Sequence, residues 1–320
     1  MRIASHACRS EAVMNTTLLL AQLLNGLQYG FLLFLMAAGL TLVFGIMSFV
    51  NLAHGSLYMM GAYAGAVASN VTGSFALALL AAAAVALLLG LALEWAAVSR
   101  LYRRDHLDHV LATFGLVLFF NELVRIVWGP QPYFVQVPEL LSGTVSLLGF
   151  AYPSYRFAII AAGLAVAVLC WALIQKTRIG MLIRAGAQNP QMVGALGVNI
   201  RLLNAMLFAV GAMLAGLAGA MAGPILSVQS GMGDGVLITT LVVIVIGGIG
   251  SVSGALYASL IIGLVDTLGR AYLPALLGQV AERTVADAAG PALASMSVYV
   301  LMAVVLAVRP QGLFPAKRGA

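Results

Sequence analysis

Charge is what this chain has least of. Asp, Glu, Lys and Arg make up 8% of its 320 residues against 62% hydrophobic residues, a balance that excludes an ordinary soluble domain. Only two lysines occur, Lys176 and Lys317, and neither follows a glycine. A Walker loop needs a lysine directly after its last glycine, so this polypeptide hydrolyses no nucleotide of its own. Cysteine is nearly missing too: Cys8 near the N-terminus and Cys170 in an apolar run offer no disulfide framework, and Cys170 is left to packing. One histidine without Cys, Asp or Glu at ligand spacing makes no metal site, which is the situation of His54. No Ser-His-Asp set, paired carboxylate or His-Glu-x-x-His arrangement lies within the apolar runs, so no catalytic residue is expected. Neither a cofactor nor a nucleic-acid partner is expected.

What the chain does have is apolar runs of about 20 residues, the length that crosses a bilayer as a helix. They lie near 18–43, 50–70, 75–98, 108–128, 156–175, 202–222, 236–270 and 293–308. A porin-type barrel would alternate apolar and polar residues, whereas Ala76 to Leu93 is continuous Ala, Leu, Val and Gly. The expected fold is therefore all-α, a polytopic transmembrane helical bundle in a lipid bilayer. Arg2, Arg9 and Glu11 precede a second methionine, Met14, which is a candidate start of translation. Residues 1–17 read as a short tail, 18–308 as one transmembrane domain and 309–320 as a cytoplasmic tail. No A-x-A-like site precedes a soluble domain, so the first run is read as a span.

Basic residues cluster. Arg100, Arg103 and Arg104 follow the third run; Lys176, Arg178, Arg184 and Arg201 follow the fifth; Arg309, Lys317 and Arg318 close the chain. Positive loops stay cytoplasmic, so these regions share one side, while 129–155 and 271–291, richer in Pro, Gly, Tyr and acids, face outward. Between Arg201 and Arg309 the chain must then cross an even number of times, which divides 236–270 in two at its glycines. That gives about nine crossings with the N-terminus outside, or eight if 40–55 is re-entrant.

Two polar islands interrupt the apolar sequence. The first runs from Gly45 through Ser48, Asn51, His54, Gly55 and Ser56 to Tyr58. Irregular backbone at membrane depth is tolerated only within protein or beside water, so a broken helix lining a solute path is one reading. The other is a short interfacial loop whose Asn51 caps the next helix. The second island is Gly247, Gly248, Gly250 and Gly254, and it too leads into a helix with a tyrosine, a weak echo of a two-half repeat with discontinuous helices. Gly211, Ala215, Gly219 and Gly223 recur every four residues, a nearly bare helix face suited to close helix packing. Asp266 with Arg270, and Glu122 with Arg125, are spaced to neutralise each other.

The loop 176–201 carries Asn189 as an N-cap, Pro190 at the first helical position and Gly197 past the end, defining a helix of about seven residues. It exposes Met192, Val193 and Leu196 where water is expected. Such a helix docks into another protein or lies on the membrane surface.

Together these residues resemble a known family, the inner-membrane permeases of branched-chain amino acid ABC importers, of the LivH type. The resemblance rests on Asn51-Leu52-Ala53-His54-Gly55 followed by Tyr58-Met59-Met60-Gly61, and on the loop from Arg178 and Gly180 through Arg184 and Ala185 to Ala195, Leu196, Gly197 and Asn199. It rests also on Gly247-Gly248-Ile249-Gly250-Ser251 with Gly254, and on the tail Arg309-Pro310-Gln311-Gly312-Leu313-Phe314. It implies a second, LivM-like permease subunit, two cytoplasmic ATPase subunits, a periplasmic solute-binding protein and a bacterial inner membrane. It makes Asn189 to Gly197 the coupling helix and implies branched-chain or related amino acids as cargo. Members resembling the amino acid carriers often have an acid after the His-Gly pair, where this chain has Ser56, and the family includes relatives for urea, amides and small carboxylates. An ATP-independent channel or secondary carrier is the rival class; coupled carriers keep embedded carboxylates, and here the acids inside the runs are few.

Overall fold

The computed structural model describes residues 2–47, 51–102, 104–147, 150–280 and 282–314, of which residues 2–15 and 46 by their backbone alone. Ser48, Arg103, Lys317 and Arg318 lie outside the described residues. Among those described, seven helices are long and apolar enough to cross a membrane. They are α1 (Arg2–Met47), α3 (Phe75–Leu93), α5 (His106–Trp128), α6 (Ser154–Lys176), α9 (Ile200–Ala222), α11 (Val252–Leu277) and α12 (Arg283–Val308). Two shorter helices join them, α2 (His54–Thr72) and α10 (Met232–Gly247). The run 236–270 thus divides between α10 and α11 at Gly248–Ser251, as the charge parity requires. The segment read as a tail belongs to α1, whose helix continues back through it to Arg2.

Packing fixes the direction of each helix. Asn25 of α1 accepts hydrogen bonds from Tyr152, just before α6, and from Arg156 in its first turn, which marks the end that the charge pattern expects to face outward. Gly45, near the other end of α1, lies against Gly250, so α11 runs antiparallel to α1. On α9, Gly211 faces Gly39 of α1, and Gly216 faces both Gly61 of α2 and Ala82 and Ala86 of α3. Glycine and alanine at these crossings let the backbones touch, which replaces the hydrophobic drive that lipid removes. Consequently α1 and α9 form the buried centre, and α3, α5, α6 and α12 show most of their surface outward. Arg100, Arg104, Lys176, Arg178, Arg184, Arg201 and Arg309 all sit at or between the ends of the long helices, at the end that the charge pattern expects to face the cytoplasm.

The outer connection between α5 and α6 contains a turn at Glu139–Leu141 and a hairpin of β1 (Thr144–Leu147) and β2 (Phe150–Pro153), paired antiparallel. The sequence reading left this segment as a loop; four-residue strands in a polar connection give too short a pattern to read. α3 continues inward through a π-helical turn, Glu94–Val98, into α4 (Ser99–Leu101). At the inner end, the expected single short helix is instead a pair, α7 (Arg178–Gln188) and α8 (Pro190–Ala195).

Candidate functional site

α1 ends at Met47 near the inner side, yet the next helix begins well inside the bundle. His54, the first residue of α2, places Nε2 3.2 Å from the carbonyl oxygen of Met36, about 16 Å along α1 from Asn25 at the helical rise. The chain therefore turns back into the interior before α2 starts. Asn51 and His54 are each 1% exposed, so this is no interfacial loop, and the N-cap of α2 is Ala53, without a side-chain bond. Among the described residues Asn51 caps nothing: both atoms of its amide, like Ser56 Oγ, are buried without a hydrogen-bond partner. Gly55 packs on Gly233, and the Tyr58 carbonyl lies against Gly219. Asn51, His54, Gly55, Ser56 and Tyr58 are thus brought together where α1, α2, α9 and α10 meet.

Gly233 belongs to a third break that the sequence reading missed. From Gly223 the chain descends past Val228, which bridges to Tyr133, and starts α10 at Met232 beside the head of α2. Asn121 of α5 holds this descent: its amide donates to Asp234 Oδ2 (3.2 Å), and its side-chain oxygen accepts from the Gly231 N–H (3.2 Å). Ser230 donates to the Asn121 carbonyl at 3.1 Å. The signal was present in Gly231-Met232-Gly233-Asp234-Gly235, a glycine-flanked acid beside an apolar run. α1–α2 and α9–α10 both read as long helix, break, short helix, and they run in opposite senses. It is the head of α10, not the helix after Gly254, that packs beside the head of α2.

Gly247, Gly248, Gly250 and Gly254 lie elsewhere, at the inner end of α10, about 21 Å from Gly233 at the helical rise. Gly247 and Gly254 touch backbone to backbone, which makes a tight elbow between α10 and α11. Ser251 caps α11 by accepting from Gly254 N–H at 3.1 Å. The C-terminal segment covers the elbow: the N–H groups of Leu313 and Phe314 donate to the carbonyls of Ile246 (2.8 Å) and Gly247 (3.0 Å). Beside it opens a cavity of about 1230 Å³ lined by Thr41, Gly45, Trp171, Arg184, Ser251 and Tyr257 among others.

Asn189 caps α8 as the spacing predicts, its side-chain oxygen accepting from Met192 N–H at 3.0 Å, and Gly197 takes φ +87° past the end. Met192 and Leu196 are 59% and 77% exposed, but Val193, expected beside them, is buried at 6%. On a helix of so few residues the third apolar side chain turns inward, under the N–H of Val198 that closes on the Val193 carbonyl. Gly180 and Arg184 stand on α7 against the end of α6: Gly180 leaves room for the carbonyls of Leu173 and Ile174, and Arg184 donates to Ile174. Ala185 accepts from the Asn189 N–H, which joins α7 to α8. On the neighbouring inner segment, Tyr102 donates to Glu94 Oε1 at 2.9 Å, and burial together with that carboxylate pushes the phenol well above its ordinary range.

Comparison with known proteins fits this geometry. The model of a family described as branched-chain amino acid transport system / permease component matches residues 22–308. The high-affinity branched-chain amino acid transport system permease protein BraD of Pseudomonas aeruginosa is 28% identical, over 92% of this chain and 95% of the relative. The LivH permease protein of Escherichia coli (strain K12) is 30% identical, over 79% and 87%. The ribose import permease RbsC of the same organism is 28% identical, over 72% of each chain. No solved structure matches.

Proposed function

The chain belongs to the family of branched-chain amino acid transport permease components, and on that premise we propose that its cargo is a branched-chain or closely related amino acid. The protein is a multi-pass permease of an ATP-driven importer. In this reading it pairs with a second, LivM-like permease in a bacterial inner membrane, receives solute from a periplasmic binding protein and is driven by two cytoplasmic ATPases. Met192 and Leu196 on capped α8, exposed at the basic end, carry the reading, because an apolar helix held out into water needs a partner surface. ATP binding and release would push on α8, and α7, clasped to the end of α6 by Gly180 and Arg184, would pass the motion to the bundle. The broken heads of α2 and α10, with Asn51, His54, Ser56 and Tyr58, would line the solute path.

Copurification tests this. The tagged chain, gently solubilised from cells expressing the whole operon, is expected to bring down ATPase, and Leu196→Asp to lose it. A wild-type chain that captures no ATPase, with uptake surviving Leu196→Asp, would overturn the coupling role of α8.

A further inference from the structure

A groove of about 400 Å³ opens between α1, α6 and α11 at the Asn25 end of α1, walled in part by Ile225 and Leu226 of the α9–α10 connection. Its walls include Asn25, Gln28 and Tyr29 of α1, Arg156 of α6 and Thr267 and Arg270 of α11. The two guanidinium groups converge from different helices and both are held in place. Arg156 donates to Asn25 Oδ1, while Arg270 donates through Nε to Asp266 Oδ2 (2.8 Å) and through a terminal nitrogen to Ser295 Oγ (2.8 Å). Asp266 offsets the charge of Arg270, but no carboxylate pairs with Arg156 among the described residues, so the groove keeps one net positive charge. Gln28 is 5% exposed, lines the groove and makes no side-chain hydrogen bond within the described protein. Its amide reaches the groove, where a ligand can take the hydrogen bonds that the protein leaves open.

We propose that this groove is an anion subsite at the outer mouth, in which Arg156 and Gln28 take the carboxylate of the solute before it reaches the broken helix heads. The volume lies at the small end of the range for small-molecule sites, roughly 300–1,000 Å³. Charge-assisted, forked recognition by arginine suits a carboxylate, and the groove's apolar wall of Leu32, Ile225 and Leu226 suits an aliphatic side chain. The inference rests on the amino acid reading above. A phospholipid phosphate offers related chemistry, and the experiment separates the two.

The complete importer, reconstituted in vesicles, is assayed for initial uptake of radiolabelled leucine. Arg156→Gln keeps a group that can bond Asn25 but removes the charge, and Gln28→Met replaces the unpartnered amide facing the groove by an apolar group of its size. Each is expected to lower uptake by about tenfold or more, the factor carried by one lost charge-assisted hydrogen bond, with ATPase copurification and thermal midpoint unchanged. Arg156→Lys, which keeps the charge but not the fork, should fall between Arg156→Gln and wild type. Should Arg156→Gln fail to assemble, Gln28→Met decides. Wild-type uptake by either assembled variant overturns the proposal. So does wild-type uptake that depends on phosphatidylglycerol in the vesicles and loses that dependence in Arg156→Gln, which would assign the groove to a lipid phosphate. Uptake of urea but not of leucine, with ATPase still bound, overturns the anion subsite and leaves the permease reading standing.

Discussion

Gly55 and Gly233 meet backbone to backbone: a methyl group at Gly55 would fall 2.7 Å from the Gly233 carbonyl oxygen. Two helices thereby begin side by side inside the bundle, and neither position tolerates a side chain. Gly233→Val is expected to destabilise the protein by about 1–3 kcal/mol, the cost of overpacking a closed crossing. Gly235→Ala, two residues on, adds a methyl that meets nothing within 4 Å and should not destabilise the protein. Thermal midpoints of the two variants in detergent, compared with wild type, check this; equal shifts would refute the contact.

Asn51 separates function from stability. Its amide is buried and unpartnered, so Asn51→Leu should leave the thermal midpoint unchanged or raise it. Uptake should nevertheless fall by about tenfold or more if the amide serves the solute, with ATPase copurification intact. A lower midpoint with normal uptake would make Asn51 a structural residue only.

The cap of α8 is expected to matter in proportion to its bond. Asn189→Ala removes the acceptor for Met192 N–H and should weaken the helix by about 1 kcal/mol. Titration of purified ATPase onto the assembled permease pair would then show an affinity lowered about fivefold, and Asn189→Asp, which can cap as well, should restore it.

The C-terminal clasp gives a fourth expectation. Gly312 has φ +83° and presses on Gly248, while Leu313 and Phe314 satisfy the last carbonyls of α10. Gly312→Ala should cost about 1–2 kcal/mol from the left-handed backbone alone, before any clash. Truncation after Gln311 should lower the thermal midpoint as well, by freeing two carbonyls at the elbow. A truncated chain of unchanged midpoint would show that the clasp adds nothing.

Much of this protein was legible locally. Hydropathy located the seven long apolar helices but also read 50–70 as a full span, where the shorter α2 starts inside the bundle, and the parity between Arg201 and Arg309 placed the division of 236–270 at its glycines. Asn189, Pro190 and Gly197 outlined α8 because caps act within one turn. Asp266–Arg270 and Glu122–Arg125 pair as their spacing implies. α7 was missed because its amphipathic pattern runs directly on from a span, and Val193 was misplaced because six helical residues do not define a face.

The sequence by itself thus determined a helical protein of many long apolar spans, the division of 236–270 and the cap of α8. Only the tertiary structure decided that α2 and α10 start side by side inside the bundle, that Gly231–Asp234 is a further break and that Gly247–Gly254 is an elbow. The reason is physical. Residues that cross a bilayer are apolar on every face, so no polar contrast marks which side of a helix meets another and which meets lipid. That choice is made by close backbone approach at Gly55, Gly216 and Gly233, between segments far apart in the chain.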